Sequence, residues 1–300
     1  MTPRAARLVA QAKVNLFLRV LSRERSGYHS LETLFTRIDL GDEVRIRVGG
    51  AARTVRCSGP ALPAGGLGPP EANVAFRAAD AYAQAAGWPS GFEIDIEKRI
   101  PVGAGLGGGS ADAGAVLRAL NALAPNPLPR SSLLTLAAGI GADVPFLTLE
   151  EPLALAWGRG ERLLALPPLP TRAVSLFLPS FGISTADAFG WLAATRARDT
   201  PRGETFSLRQ LGAWEGVASL AGNELEPVVC AQQPLLRELL RDVRDAMPGA
   251  IVGMTGSGSA VFAIARDSSD AAAASAARSA GARHVRTLTS ACVVAMERSE

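Results

Sequence analysis

Lysine is nearly missing from this chain. Of 31 basic residues only Lys13 and Lys98 are lysine, and the rest are arginine. Histidine and tyrosine are equally scarce, two of each in 300 residues. The three cysteines, Cys57, Cys230 and Cys292, are odd in number and far apart. That excludes a disulfide framework and a cysteine-built metal site, and fits the reduced thiols of a cytoplasmic protein. No protein metal ligands are evident at all. No block of five like charges occurs, and 28 acidic residues nearly balance the basic ones for a net charge of +3. Neither a nucleic-acid partner nor a membrane surface is therefore expected. No apolar run approaches the roughly 20 residues of a transmembrane helix. Gln11, Lys13 and Asn15 interrupt any apolar core of a signal segment. An isoelectric point near 9.0 is then read as that of a soluble protein with anionic ligands.

What the chain has in quantity is apolar residues, 48% of the total, and glycine. That is enough to bury a large core, and the length favours two domains. The prolines at 167, 168 and 170 are the expected joint, giving units 1–166 and 167–300. Glycine is concentrated at one place. Residues 92–96 alternate apolar and charged like a half-buried strand, Pro101 interrupts it, and five of the seven residues from 103 to 109 are glycine. After them an alanine- and leucine-rich pattern predicts a helix with Ser110 or Asp112 near its N-cap. Strand, bare backbone and helix N-terminus make an anion site. A plain turn needs fewer glycines, so a ligand explains them better. Gly103, Gly105 and Gly108 fit the dinucleotide pattern, but the region about twenty residues on is Pro125-Asn126-Pro127, with no second strand ending in an acid. A Gly-Lys-Ser/Thr ending is also missing, which leaves a phosphate cradle of a third kind.

Residues 8–21 read as a strand with Lys13 and Asn15 projecting from one side. Tyr28 and His29 lie in a turn before a strand into Phe35 and Ile38, where they could offer a stacking face and a hydrogen-bonding ring to a planar base. A further strand covers 42–48, a hairpin with a mobile loop 49–70, and helices 73–86 and 131–139. Asp143 falls in a tight, non-helical stretch of glycines and Pro145. A hairpin over 153–166 follows, then a strand over 173–178 and a loop in which Thr185 caps a helix. Helices over 223–229 and 234–247, a strand at 250–254, a second glycine loop at 255–259, a strand at 260–265, a helix at 268–280 and closing strands at 284–296 complete an α+β pattern.

Four stretches occur in a telling order: Ala12-Lys13-Val14-Asn15-Leu16, Gly27-Tyr28-His29, residues 105–113, and Gly141-Ala142-Asp143-Val144-Pro145. Residues 101–113 resemble the phosphate-binding motif of the GHMP kinases, and 255–260 their C-terminal glycine motif. The resemblance implies a two-domain α+β fold with a mixed sheet and the active site in the cleft between the domains. It implies an ATP-dependent small-molecule kinase, with Mg²⁺ carried by ATP. The four stretches are most similar to the branch that phosphorylates a cytidine-diphosphate-linked polyol in isoprenoid precursor synthesis. On that resemblance Asp143 is the general base and Lys13 its partner. Pro101, Val102, Gly103, Ala104, Gly105, Leu106, Gly107, Gly108, Gly109, Ser110 and Ala111 wrap ATP, with Asn73 and Lys98 near its adenosine end. Asn15, Tyr28, His29, Thr185 and Phe189 hold the acceptor. A monomer or weak homodimer is expected. The alternatives are another acceptor (homoserine, mevalonate or a sugar) and a non-catalytic nucleotide-binding module.

Overall fold

The computed structural model describes residues 5–23, 29–195, 206–266 and 283–297. Tyr28 and the helix expected at 268–280 lie outside the described residues.

Two long strands begin the chain, β1 (Ala5–Arg23) and β2 (His29–Val48), paired antiparallel. The sequence pattern splits β2 into two strands, but the chain runs on through Gly41, where a Cβ would lie 2.3 Å from Val9 Cγ1. The register steps three times, and between the Asn15–Phe35 and Phe17–Leu34 pairs β1 carries one extra residue, Leu16. Such bulges re-aim neighbouring side chains, and this one directly follows Lys13 and Asn15. The hairpin expected within 49–70 is instead an edge strand, β3 (Arg53–Ser58), parallel to β4 (Phe92–Glu97). Between them lies α1 (Val74–Ala86), capped by the Asn73 side chain, which accepts the Ala75 N–H at 2.9 Å.

α2 (Gly108–Leu123) is buried from Ala111 to Leu120 by alanines and leucines packed on β1, β2 and α1. α3 (Arg130–Ile140) leads to α4 (Val144–Thr148), in the stretch the glycines and Pro145 marked as non-helical. Pro145 falls in the first turn of α4, where a missing N–H breaks no helical bond. β5 (Leu153–Gly158) and β6 (Arg162–Leu166) form the expected hairpin, and β5 pairs with the first half of β2.

The rest of the chain builds a second sheet. β7 (Ala173–Phe177) is followed by α5 (Thr185–Thr195), then α6 (Leu208–Leu211) and α7 (Trp214–Leu220), two helices the sequence pattern did not reveal. β8 (Gly222–Asn223), α8 (Glu226–Gln232), α9 (Pro234–Ala246), β9 (Ile251–Met254), β10 (Val261–Ile264), β11 (Arg283–Arg286) and β12 (Ala295–Glu297) follow, of which β9, β10 and β11 join β7 in that sheet. α8 starts later than the 223 expected because the Asn223 amide bonds the Met254 and Gly256 carbonyls, each at 2.8 Å. Among the described residues the sheets run β12-β1-β2-β4-β3, with β5, β6 and β8 attached, and β11-β7-β10-β9. β8 and β12 both return to β1, so the later part of the chain is bonded into the first sheet.

Candidate active site

α2 starts two residues before the expected cap. Gly107 holds the cap position at φ 73° and ψ 22°, a left-handed conformation that suits glycine, and no side chain caps the helix. The Ala111 amide bonds the Gly107 carbonyl at 2.8 Å. The amides of Gly108, Gly109 and Ser110 precede it, and with the dipole of a 16-residue helix they form an N-terminus suited to anions. Ala111 itself is 2% exposed with its amide spent inside the helix, so it backs the cradle and cannot grip a phosphate as the resemblance implied.

The glycines also serve the protein's own packing. A Cβ on Gly105 would stand 2.1 Å from the Thr255 carbonyl oxygen, so the loop lies directly against the second glycine turn. A Cβ on Gly107 would stand 3.1 Å from Lys13 Cε. Lys13 is therefore wedged beneath the loop, 2% exposed. Its ammonium donates to Asn15 Oδ1 at 2.7 Å and to the Gly105 carbonyl at 2.9 Å, and lies 3.4 Å from Asp143 Oδ2. The Asp143 side chain is 31% exposed at the head of α4. Its position depends on α2: a Cβ on Gly114 would stand 2.5 Å from the Leu147 backbone, so α4 rests on bare helix.

Asn15 is brought beside Lys13, but its carboxamide is occupied. The oxygen accepts from Lys13, from the Gly256 amide at 3.0 Å and from the Thr255 hydroxyl at 3.2 Å, while the nitrogen donates to Thr33 Oγ1 at 2.8 Å. It ties β1 to the second glycine turn. Lys98 is likewise a brace. It bonds Asp42 and, at 2.6 Å, Asp112, while Asp42 accepts the Ile100 amide at 2.8 Å. Entry to and exit from the glycine loop are stapled together. Burial pushes the Asp112 carboxyl up to about 8 against the pull of Lys98, and its Oδ1 has no partner.

At the other end of the cleft His29 stacks on Phe189, ring centroids 4.8 Å apart and 22° from parallel. The Thr185 and Ser257 hydroxyls are 3.1 Å apart. Ser184, one residue before the expected Thr185, accepts the Asp187 amide at 3.4 Å and caps α5. Lys13, Asn15, His29, Asn73, Lys98, residues 101–110, Asp143, Thr185 and Phe189 line one cleft of about 1350 Å³, more than the roughly 300–1,000 Å³ that one ligand needs. Gly256, Ser257 and Arg159 line it too and were not among the expected site residues. The second glycine loop was visible without anything to show that it meets the first. Arg159 had only its two flanking glycines as a signal.

Comparison with known proteins matches residues 73–151 to the GHMP kinases N-terminal domain and residues 207–283 to the GHMP kinases C-terminal domain. The 4-diphosphocytidyl-2-C-methyl-D-erythritol kinase of Citrifermentans bemidjiense is 40% identical over 94% of this chain and 98% of that protein. A crystal structure of 4-(cytidine 5'-diphospho)-2C-methyl-D-erythritol kinase superposes with a TM-score of 0.73 at 36% identity, covering 94% of this chain and 98% of the other. The homoserine kinase of Cytophaga hutchinsonii, at 21% identity, TM-score 0.69 and 98% coverage of both chains, shares the fold. Sequence, fold and cleft agree: the chain belongs to the 4-diphosphocytidyl-2-C-methyl-D-erythritol kinase family of the GHMP kinases.

Proposed function

We propose that the protein moves the γ-phosphoryl group of ATP to the 2-hydroxyl of 4-diphosphocytidyl-2-C-methyl-D-erythritol, with Asp143 as general base. The observation that carries the reading is Lys13 reaching both the Gly105 carbonyl, at 2.9 Å, and the Asp143 carboxylate, at 3.4 Å. Phosphoryl transfer needs positioning and charge stabilisation more than covalent help. In this reading the ATP tail lies against the uncapped α2 amides, and Asp143 takes the proton of the acceptor hydroxyl. Lys13, 3.4 Å from that carboxylate, orients the alcohol. The His29–Phe189 pair receives the cytosine, a use that homoserine, mevalonate or a sugar could not make of it. Asn73 and Val102 border the adenosine, and Tyr28 and Thr185 belong to the acceptor side.

Magnesium is proposed as a companion of ATP. The Ser110 hydroxyl and the Asp143 carboxylate are hard oxygen donors at the cradle that fit such an ion. When bound it would neutralise phosphate charge. Residues 1–166 and 167–300 are proposed as the two lobes, with β12 returned to the first. No helix among the described residues is long and apolar enough to cross a membrane. A cytoplasmic monomer or weak dimer acting on small molecules, without nucleic acid, completes the proposal. Mg-ATP and the cytidine-diphosphate acceptor should yield ADP and phosphorylated acceptor in equal amounts. No turnover with that acceptor would overturn it.

A further inference from the structure

β1 and β2 place Lys13 and Arg37 directly opposite each other in the strand register. Residues so paired project from the same face of a sheet with their Cβ atoms about 5 Å apart. We propose that Arg37 is a positioning residue for the transfer, holding the far end of α4 so that Asp143 meets Lys13 correctly, an inference that rests on Asp143 being the base.

α4 is five residues long, about 7.5 Å at the helical rise, and too short to keep its place unaided. Lys13 meets its head, 3.4 Å from Asp143 Oδ2. Arg37 meets its tail, where Nη2 donates to the Phe146 carbonyl at 3.1 Å and to the Leu149 carbonyl at 2.8 Å. Carbonyls of a last turn lack the helix's own i+4 amides, so a cation there satisfies them. Aromatic rings repeat the link. The Arg37 guanidinium lies 5.2 Å from the Phe146 ring centre, Phe146 stacks on Phe35 at 4.9 Å and 18°, and the Lys13 ammonium lies 5.5 Å from the Phe35 ring centre. Arg37 is itself fixed on both sides, its amide donating to the Pro152 carbonyl at 2.8 Å and its carbonyl accepting the Leu288 amide at 3.1 Å. One strand pair thus grips both ends of the helix that carries the base.

The charge is costly where it lies. Arg37 is 1% exposed, and burial, together with Arg118, pulls its guanidinium down to about 9 against the opposing effect of Glu151. Its Nε has no partner among the described residues. An apolar side chain of similar volume would fill the space at less cost, so stability alone is a poor reason for an arginine here. What an apolar side chain could not do is donate to the two α4 carbonyls.

The test is steady-state kinetics of the full chain with Mg-ATP and the cytidine-diphosphate acceptor. Arg37→Met, similar in length but without a donor, should lower kcat about ten- to a hundredfold, the scale of a reacting group misplaced by about 1 Å. The KM values for ATP and acceptor should stay within about twofold of wild type. Arg37→Lys, which keeps a cation, should lose less, and its loss carries the test if Arg37→Met does not fold. The deciding measurement adds the same change to Asp143→Asn. With no carboxylate left to misplace, it should lower the residual kcat by less than about twofold. An unchanged kcat in the folded single variants, or a loss by the same factor in both backgrounds, overturns the assignment and leaves Asp143 as the base. Full turnover by Asp143→Asn removes the base reading itself, and this inference with it.

Discussion

Lys13 and Lys98 are buried to the same degree, 2% exposed, and both touch the glycine loop, yet their charges are balanced differently. Lys98 faces two carboxylates, Asp42 and Asp112, themselves almost fully buried. Its ammonium is consumed in joining β2, the end of β4 and the first turns of α2. Lys13 faces one carboxylate at 3.4 Å and two neutral oxygens, and that carboxylate is about one-third open to the cleft. An ammonium closed in between two buried acids can only hold things together. One matched by a single, reachable carboxylate can follow a reaction in which that carboxylate gains a proton. The number of acids around each lysine is what separates a staple from the proposed chemistry.

The largest expected effect is at the open pair. Asp143→Asn should lower kcat by at least about a hundredfold while ATP affinity, measured by titration, stays near wild type. Retained turnover would make Asp143 a structural residue and erase the contrast. Next comes the closed pair. Lys98→Met leaves the buried Asp42–Asp112 pair without its ammonium and should cost about 3–5 kcal/mol in urea unfolding. Lys13→Met should cost clearly less, because water can reach Asp143. Equal losses from the two variants would break the comparison.

Much of this was readable beforehand, for identifiable reasons. An arginine-rich chain that keeps two lysines marks both, and both are buried beside the glycine loop. Alternation gave β4 because it has one covered face. It divided β2 wrongly because Gly41 reads as a turn where it is a close strand contact. Counting glycines pointed to a ligand, but Gly105 and Gly107 are also required by Thr255 and Lys13, neighbours 150 and 94 positions away that local pattern cannot supply. Asn15 and Lys98 line the cleft, and the hydrogen bonds by which they also brace the protein appear only once the strands are paired. The α4 helix was missed because a five-residue element offers no period to detect.

A smaller effect tests what holds the open pair in place. Gly114→Ala puts a methyl against the Leu147 backbone and should cost about 1–3 kcal/mol of stability, the usual range for overpacking. Because α4 begins at Asp143, the same methyl should shift the carboxylate from Lys13 and lower kcat beyond what thermal loss explains. An unchanged kcat in the folded variant would show that Asp143 is held from elsewhere.

A further effect concerns the staple's proton. Two acids share one lysine away from water, and burial pushes Asp112 from its ordinary 3.8 up to about 8. Burial opposes the Lys98 charge, but Asp112 and Asp42 outweigh it and hold that ammonium above the usual lysine range. Through neutral pH the native triad thus keeps a proton on Asp112 that the unfolded chain has released. A carboxyl with a raised native pKa contributes stability that is complete below its unfolded value and is lost as pH rises through the native one. Unfolding free energy should therefore fall from about pH 5 to about pH 9, measured by urea titration at several pH values. Asp112→Asn keeps an oxygen for Lys98 but cannot release the proton, so it should flatten that slope and gain most on the wild type at the alkaline end. Parallel profiles for the two chains would mean that Asp112 is ionised throughout, with Lys98 carrying both acids at once.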